Sequence, residues 1–211
     1  EIEVLIRRLE EGDLLAELHE QAMPALRDAD VDFSVHDPES RLRERERVLA
    51  SVRRGLRTLT NASGFAALIP NVGANVVECL PDAETIDDVA AIPGRLVDVK
   101  GRAMVPGEPE FGVSEHVATV LLAARDAGSD ARGAVNVRYD PDLIAALDDE
   151  YATVAFDAEA DTATAVREAL DARSAGDTLV LYQTGAVGVE PIVYVLAPDA
   201  PAAARIVREL C

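Results

Sequence analysis

The pattern of apolar residues changes at Phe65, and this change constrains the fold more than any other feature of the sequence. Before Phe65 apolar side chains recur at helical spacing, whereas after it short apolar runs typical of strands alternate with helical stretches. This alternation is typical of a layered α/β domain. Residues 95–105 are long for one strand and contain a Lys-Gly-Arg turn or bulge, so the predicted sheet is mixed. Strands are predicted over residues 65–69, 76–80, 95–105, 134–139, 153–156, 179–182 and 191–196, and helices over 114–127, 141–148, 161–172 and 200–210.

The residues before this point are predicted to be helical. Two short helices are expected within residues 1–28, and a long helix begins at Asp37-Pro38 because aspartate caps helices and proline suits the first helical position. Residues 1–38 are interpreted as a helical linker or appendage, and residues 39–211 as the main domain. The apolar stripe of the long helix packs either on this domain or on a second copy of itself. The stripe consists of Leu42, Leu49, Val52, Leu56 and Leu59, with Arg45 as an exception.

Charge and composition limit the class of protein. The net charge is −19, and every basic residue except Lys100 is an arginine, which favours adaptation to concentrated salt. An acidic face for a basic partner is the weaker alternative, because the acids are spread over the whole length. The sequence has no basic stripe, so direct DNA binding by this chain is not expected. No apolar run is long enough for a bilayer and no signal peptide is recognised, so we expect a cytoplasmic protein without a membrane partner.

The two cysteines and the common catalytic motifs give further exclusions. Cys79 and Cys211 are isolated and share no ligand spacing with a histidine, so neither a disulfide nor a metal site is expected. The sequence contains no Walker loop, nicotinamide fingerprint, zinc spacing or nucleophile elbow. Kinase, dehydrogenase, metalloprotease and hydrolase functions therefore lose their usual support.

Five stretches place glycine or proline beside charged or polar residues at the ends of predicted strands. Such positions bring the backbone close to a ligand, although each stretch taken alone is also compatible with an ordinary turn. The five are Ile69-Pro-Asn-Val-Gly-Ala-Asn75, Pro93-Gly-Arg95, Pro109-Glu-Phe-Gly-Val-Ser-Glu-His116, Asn136-Val-Arg-Tyr-Asp140 and Gly185-Ala-Val-Gly-Val-Glu-Pro191.

Four residues in these stretches suggest anion binding. Gly112-Val-Ser114 opens a predicted helix whose free backbone amides and dipole form a candidate anion cradle for a phosphate, with Ser114 as cap or ligand; an ordinary N-cap is the alternative. His116 lies in the first helical turn, where the dipole keeps its ring neutral; a buried histidine with satisfied hydrogen bonds is the competing interpretation. The guanidinium groups of Arg95 and Arg138 suit phosphate or carboxylate, and surface salt bridges are their alternative.

Taken together and in this order, the five stretches resemble the pattern of the ThiN family, the archaeal thiamine-phosphate synthase domain, over roughly residues 65–210. The resemblance implies a three-layer α/β/α domain with a mixed, largely antiparallel sheet, commonly dimeric. It also implies an activity that joins hydroxymethylpyrimidine diphosphate to hydroxyethylthiazole phosphate and releases pyrophosphate. An arginine and a histidine are tied to catalysis in the family, and the matching residues are Arg95 and His116.

Two features favour a sensor over an enzyme. The family carries an aspartate just ahead of the glycines of its last motif, whereas this chain has Gln183, which supplies no carboxylate for magnesium or for an arginine. The start Glu-Ile-Glu-Val-Leu-Ile resembles the linker that follows a helix-turn-helix domain in haloarchaeal thiamine regulators. The preferred hypothesis is therefore a homodimeric sensor of thiamine phosphate or thiamine diphosphate that needs no cofactor and contacts DNA only through a missing N-terminal domain.

An active synthase using Mg²⁺ is the first alternative, and a dimerisation domain with a vestigial site is the second. In the sensor hypothesis Arg95 and Arg138 bind phosphate, while Asn75, Asn136 and Glu190 contact the heterocycles. No protein ligand to a metal is predicted. The predicted ligand-binding residues are Asn75, Arg95, Glu110, Phe111, Gly112, Ser114, His116, Asn136, Arg138, Gly185, Gly188 and Glu190.

Overall fold

The computed structural model describes residues 38–171 and 176–211, with side chains from Arg41 onward. The chain divides into two units, Glu1–Ser40 and Arg41–Cys211, and the second contains the sheet and the site. The short helices predicted within residues 1–28 lie outside the described residues.

The described part of the chain contains helices and strands in alternation. The helices are α1 (Pro38–Thr60), α2 (Phe65–Leu68), α3 (His116–Asp126), α4 (Pro141–Asp148), α5 (Thr162–Leu170) and α6 (Ala200–Glu209), with a 3₁₀ turn at Ile86–Asp88. The strands are β1 (Val76–Cys79), β2 (Val89–Ala91), β3 (Val97–Asp98), β4 (Ala103–Met104), β5 (Glu110–Phe111), β6 (Gly133–Arg138), β7 (Thr153–Ala155), β8 (Leu179–Gln183) and β9 (Ile192–Ala197). No helix in these ranges is both long and apolar enough to cross a membrane.

Seven strands form one sheet in the order β5-β2-β1-β6-β9-β8-β7. All neighbouring pairs are antiparallel except β7 and β8, and the longest ladder joins β6 to β9 through six residue pairs. The mixed, largely antiparallel α/β sheet expected from the sequence is thus confirmed.

The two faces of the sheet bury different helices, because successive residues of a strand point to opposite faces. On β9, Val193 and Val195 belong to the core cluster that includes residues of α1 and α6. Tyr194 and Leu196 belong to the cluster that includes residues of α3 and α5. The sheet is therefore the middle of three layers.

Helix α1 packs on the domain through Val48, Val52 and Leu59, which are at most 1% exposed. The predicted helix is confirmed, and the part of the stripe that packs on the domain begins at Val48. Leu42 is 63% exposed on this chain, and packing of that end of the stripe on a second copy stays a prediction. Arg45, the exception in the stripe, places its guanidinium 3.7 Å from the centre of the Phe111 ring.

Three other predictions need correction. Residues 65–69 were expected to be a strand but form α2, in which Phe65 is buried and Ile69 follows one turn later. Residues 95–105 contain two short strands, β3 and β4, which pair only with each other around a turn closed by hydrogen bonds between Val99 and Arg102. Strands β2 and β5 were not predicted, and the helix expected from residue 114 begins at His116.

Candidate functional site

Two adjoining cavities open between the loops at one end of the β1–β6–β9 region and the start of α3. The first has a volume of about 230 Å³ and the second about 490 Å³. Both are lined by Val72, Arg95, Glu115, His116 and Ile192. They therefore form one continuous site with two compartments.

Seven of the predicted site residues line these cavities. The first cavity includes Asn75, Arg95, Ser114, His116 and Asn136 in its wall. The second includes Arg95 and His116 again, together with Gly188 and Glu190. Residues distant in sequence are thus brought together as the ordered motifs indicated.

The other five predicted residues are not part of either cavity wall: Glu110, Phe111, Gly112, Arg138 and Gly185. Arg138 is exposed and donates a hydrogen bond of 3.2 Å to the carbonyl oxygen of Ile69, and its predicted phosphate contact stays a prediction. Glu110 and Phe111 pair with β2 as an edge strand. Gly112 and Gly185 have φ angles of 78° and 83°, a conformation that glycine adopts without strain.

Arg95 is held in position by the loop that precedes β1. Its guanidinium donates a 2.8 Å hydrogen bond to the carbonyl oxygen of Val72. Its backbone φ of 66° lies in the left-handed region, which is strained for a residue with a side chain. A Cβ at Gly73 would lie 3.0 Å from the Cβ of Arg95, so this glycine allows the two loops to approach.

Asn75 and Asn136 build the frame of the first cavity. Asn136 accepts a 2.6 Å bond from the backbone amide of Asn75 and donates to the carbonyl oxygen of Gly73. The Asn75 side chain accepts from the amide of Ile92 at 2.9 Å and donates to its carbonyl oxygen. Both asparagines are almost fully buried. These bonds join the cavity loops to the sheet, and the predicted contacts with a heterocycle remain a prediction.

Glu190 clamps the loop that carries Val72. Its carboxylate accepts hydrogen bonds from the backbone and side-chain amides of Asn71 at 2.8 and 2.9 Å, and from the amide of Val72 at 2.8 Å. These bonds occupy both carboxylate oxygens. The observed role of Glu190 is therefore to connect the loop before β9 to the loop before β1.

Gln183 closes the loop between β8 and β9. The side chain donates a 2.6 Å bond to the carbonyl oxygen of Glu190 and accepts a 2.5 Å bond from the amide of Gly185. It is buried and lines the second cavity. A carboxylate at this position accepts but does not donate, so it would lose the bond to Glu190.

The start of α3 differs in detail from the predicted anion cradle. The helix begins at His116, and Glu115 is its N-cap without a side-chain capping bond. The amide of Gly112 donates to the carbonyl oxygen of Val89, so it is already used. Ser114, His116 and Val117 line the first cavity. The amides of the first helical turn, which have no acceptor within the helix, are thus added to those of residues 113 and 114, which line the first cavity, as the candidate anion site.

His116 lies between the cavities and the core. Its Nε2 makes a short hydrogen bond with the hydroxyl of Tyr194. The pKa of His116 is lowered from its ordinary value, first because of burial and second because of the positive charge of Arg95, with a smaller opposing effect of Glu115. This direction agrees with the neutral imidazole predicted from the sequence, with burial rather than the helix dipole as its main cause.

Several residues of the site were not predicted from the sequence. Tyr194 is fully buried, and the centre of its ring lies 5.9 Å from that of Phe156. Glu115 and Val72 lie inside the quoted motifs but were not among the predicted ligand-binding residues, whereas Asp161 and Thr162 come from the start of α5. The alternation of residues 191–196 could have placed Tyr194 on the α3 face, but not its hydroxyl beside His116.

Among the described residues, no group of three or more histidine, cysteine, aspartate or glutamate side chains could hold a metal ion. Cys79 is a buried free thiol and Cys211 an exposed one. Among the residues that line the two cavities, Arg95 is the one with a permanent positive charge.

Residues 51–209 match the family model described as thiamine-phosphate synthase ThiN. The chain is 34% identical over 139 residues to the bifunctional thiamine biosynthesis protein ThiDN of Methanocaldococcus jannaschii, covering 63% of this chain and 33% of ThiDN. It thus spans about a third of that relative's length. It is 32% identical over 171 residues to the thiamine-phosphate synthase ThiN of Methanothermobacter thermautotrophicus, covering 75% of this chain and 89% of that protein.

Two solved structures are similar to the described fold. A C-terminal domain from Methanocaldococcus jannaschii superposes with a TM-score of 0.71 at 31% identity, covering 78% of this chain and 93% of the other. The C-terminal domain of a phosphomethylpyrimidine kinase superposes with a TM-score of 0.70 at 24% identity, covering 80% of this chain and all of the other. The second similarity concerns the fold alone.

Proposed function

The chain belongs to the thiamine-phosphate synthase ThiN family, and on this premise we propose that the two cavities form a thiamine-phosphate synthase site. The substrates are hydroxymethylpyrimidine diphosphate and hydroxyethylthiazole phosphate. One observation carries the proposal: Arg95 and His116, which match the family's catalytic arginine and histidine, both line both compartments.

The chemistry of this coupling suits the residues present. The thiazole nitrogen forms a bond to the methylene carbon of the pyrimidine, and the bond from that carbon to the diphosphate oxygen breaks. Negative charge then accumulates on the departing pyrophosphate. A guanidinium and correctly placed N–H donors stabilise such charge without strong acid or base catalysis. Arg95, the first-turn amides of α3 and a neutral His116 are donors of this kind.

The two compartments also match two substrates. A site that holds both reactants together converts a bimolecular reaction into an effectively unimolecular one. The first compartment, next to the α3 amides, suits the anionic diphosphate, and the larger one suits the thiazole phosphate. The described residues offer no complete set of metal ligands. A magnesium ion in this reaction would be held chiefly by phosphate oxygens of the substrates.

The first test is pyrophosphate release from the two substrates by the wild-type chain and by Arg95→Ala and His116→Ala. Loss of a donor that stabilises developing charge lowers kcat by about 100-fold or more. Arg205→Ala is the control, because Arg205 is an exposed arginine on α6 away from both cavities. Wild-type activity in His116→Ala would contradict the proposed role of this residue.

A second function is favoured by Gln183, which stands where the family has an aspartate. Its amide both donates and accepts within the β8–β9 loop, so it leaves no carboxylate for a metal or a substrate. The cavity walls that contain Arg95 and His116 are nevertheless formed, so a ligand can still bind there. In this second proposal the chain is a dimeric sensor that binds thiamine phosphate or thiamine diphosphate without turnover, and a separate module of a transcription regulator contacts DNA.

Calorimetric titration separates the two proposals. Thiamine phosphate and thiamine diphosphate are titrated into the chain at high potassium chloride, and the two synthase substrates are then added while pyrophosphate is assayed. Tight product binding without pyrophosphate supports the sensor. Turnover that is lost in His116→Ala supports the synthase. If Arg95→Ala leaves every ligand-dependent property unchanged, the site is vestigial and both proposals are wrong.

A further inference from the structure

Tyr194 has no role in the reaction proposed above, and its side chain makes one hydrogen bond within the described part of the chain, at the edge of the site. It lies in the middle of β9, which is paired on both sides, and it is 0% exposed. Its hydroxyl bonds to Nε2 of His116, and the two rings are 5.7 Å apart. Phe156 packs against the phenol from another side. The hydroxyl is therefore fixed relative to the sheet.

The number of hydrogen-bond partners available to the Tyr194 hydroxyl decides which group donates in this bond. Within the described ranges the Tyr194 hydroxyl has no partner besides His116. If Nε2–H donated to the hydroxyl oxygen, the phenolic proton would remain in the core without an acceptor. A buried donor without a partner is costly, whereas an unused lone pair on an oxygen that already donates is tolerated. The phenol must therefore donate to Nε2.

The protonation of the phenol agrees with this direction. Burial raises the pKa of Tyr194, so the hydroxyl keeps its proton throughout the neutral range. The charged and titratable groups that act on His116 are Arg95, which disfavours the imidazolium, and Glu115, which favours it less strongly. A neutral imidazole that accepts at Nε2 carries its one proton on Nδ1.

We propose that Tyr194 is a positioning residue that fixes His116 as the neutral Nδ1–H tautomer and thereby makes it a hydrogen-bond donor to an anionic ligand. Among the described residues, Nδ1 has no partner within the protein, and His116 lines both cavities. The identity of the anionic ligand, a phosphate or a diphosphate, rests on the proposed function. The tautomer of His116 does not depend on that function.

The first measurement is made on the wild-type chain without ligand. Long-range ¹H–¹⁵N correlation spectra of the imidazole rings distinguish a protonated from an unprotonated ring nitrogen. The chain has three histidines, so His116→Gln assigns the signal by its disappearance. We expect His116 to show a protonated Nδ1 and an unprotonated, accepting Nε2 at neutral pH. A protonated Nε2 overturns the proposal, whether or not any variant folds.

The second measurement compares Tyr194→Phe with Tyr182→Phe. The first removes only the hydroxyl that meets His116, and the second makes the same change on β8, where Tyr182 stacks on Tyr139 and lines neither cavity. Tyr194→Phe should abolish the pure Nδ1–H state and weaken thiamine phosphate binding by about 3- to 10-fold, as for one lost hydrogen bond. Tyr182→Phe should leave both properties as in the wild type.

These results distinguish failure of the positioning role of Tyr194 from failure of the proposed function. An unchanged tautomer in Tyr194→Phe contradicts the positioning role. A wild-type Nδ1–H tautomer that changes in Tyr194→Phe supports it, even if neither thiamine phosphates nor the synthase substrates bind. In that last case the proposed function fails while the role of Tyr194 stands.

Discussion

Glu190→Gln tests whether the site depends on a clamp between two loops. The carboxylate binds three donors of residues 71 and 72, and the carbonyl oxygen of Val72 in turn holds the guanidinium of Arg95. In glutamine one oxygen becomes an NH₂ group. The variant can keep the contacts with Asn71 but places a donor against the amide of Val72.

The expected magnitude follows from these contacts. Val72 is 44% exposed, so water can replace the lost acceptor and the free energy of unfolding should fall by only about 1 kcal/mol. If displacement of the Val72 carbonyl weakens the binding of ligand by Arg95 by a similar free energy, ligand affinity falls about fivefold. Urea unfolding measures the free energy of unfolding, and calorimetric titration with thiamine phosphate measures the ligand affinity. Glu159→Gln is the control, because Glu159 is an exposed glutamate outside both cavities.

A double-mutant cycle then distinguishes a clamp from a direct ligand contact. If Glu190 acts through Arg95, Glu190→Gln should change ligand affinity by less than about twofold in an Arg95→Ala background, because the coupled partner is already absent. A fivefold loss that persists in that background would show that Glu190 contacts the ligand, as the sequence indicated. No loss in the single variant would refute the clamp.

Three further predictions concern strain, protonation and thiol reactivity. Arg95→Gly should be more stable than Arg95→Ala by about 1 kcal/mol in urea unfolding, because glycine relieves the left-handed φ of 66°, yet both should lose ligand affinity; equal stabilities would show that the backbone has relaxed. Because the pKa of His116 is lower in the folded state than its ordinary 6.5, the unfolded chain binds more protons just below that pH, and stability falls as the pH drops through this window. The difference in unfolding free energy between wild type and His116→Gln should change with pH just below 6.5 and be constant at higher pH. A thiol reagent at pH 8 should modify Cys211, which is exposed, and leave Cys79 unmodified until unfolding, because Cys79 is buried. Burial raises the pKa of both thiols, that of Cys79 to about 11. Mass spectrometry of the native protein checks this, and rapid modification of Cys79 would contradict it.

The sequence predicted helices well where capping residues mark their ends. Helix α4 begins at Pro141 after Asp140, whose side chain accepts from the amide of residue 142, and its predicted and observed bounds agree. Residues 65–69 were predicted wrongly because a five-residue apolar run has the same appearance in a strand and in a buried helical turn. Strands β2 and β5, of three and two residues, are too short to show a period.

The sequence predicted site residues that lie within the motifs, but it did not predict contacts between residues that are distant in sequence. The ordered motifs placed Arg95, His116 and Asn75 in one site, and the structure brings them together. The partners of Glu190 lie about 119 residues away, and no local pattern indicates them. Tyr194 has the sequence appearance of a core residue, because the one partner of its hydroxyl among the described residues is His116, at the start of a helix on the face of the sheet.

The strand order has a consequence for how the molecule assembles. Strands β5, β2, β1 and β6 all lie within residues 76–138, and β7, β8 and β9 within residues 153–197, so each half of the sheet is continuous in sequence. The ladder between β6 and β9 is the seam that joins them. Pairings between strands that are distant in sequence form slowly because closing the loop between them costs entropy first, and this holds for β1–β6 as much as for β6–β9. Since the second cavity takes Arg95 and His116 from the first half and Gln183 and Glu190 from the second, it is complete only when the two halves are joined. A ligand that binds this cavity therefore binds the finished fold and stabilises it by mass action.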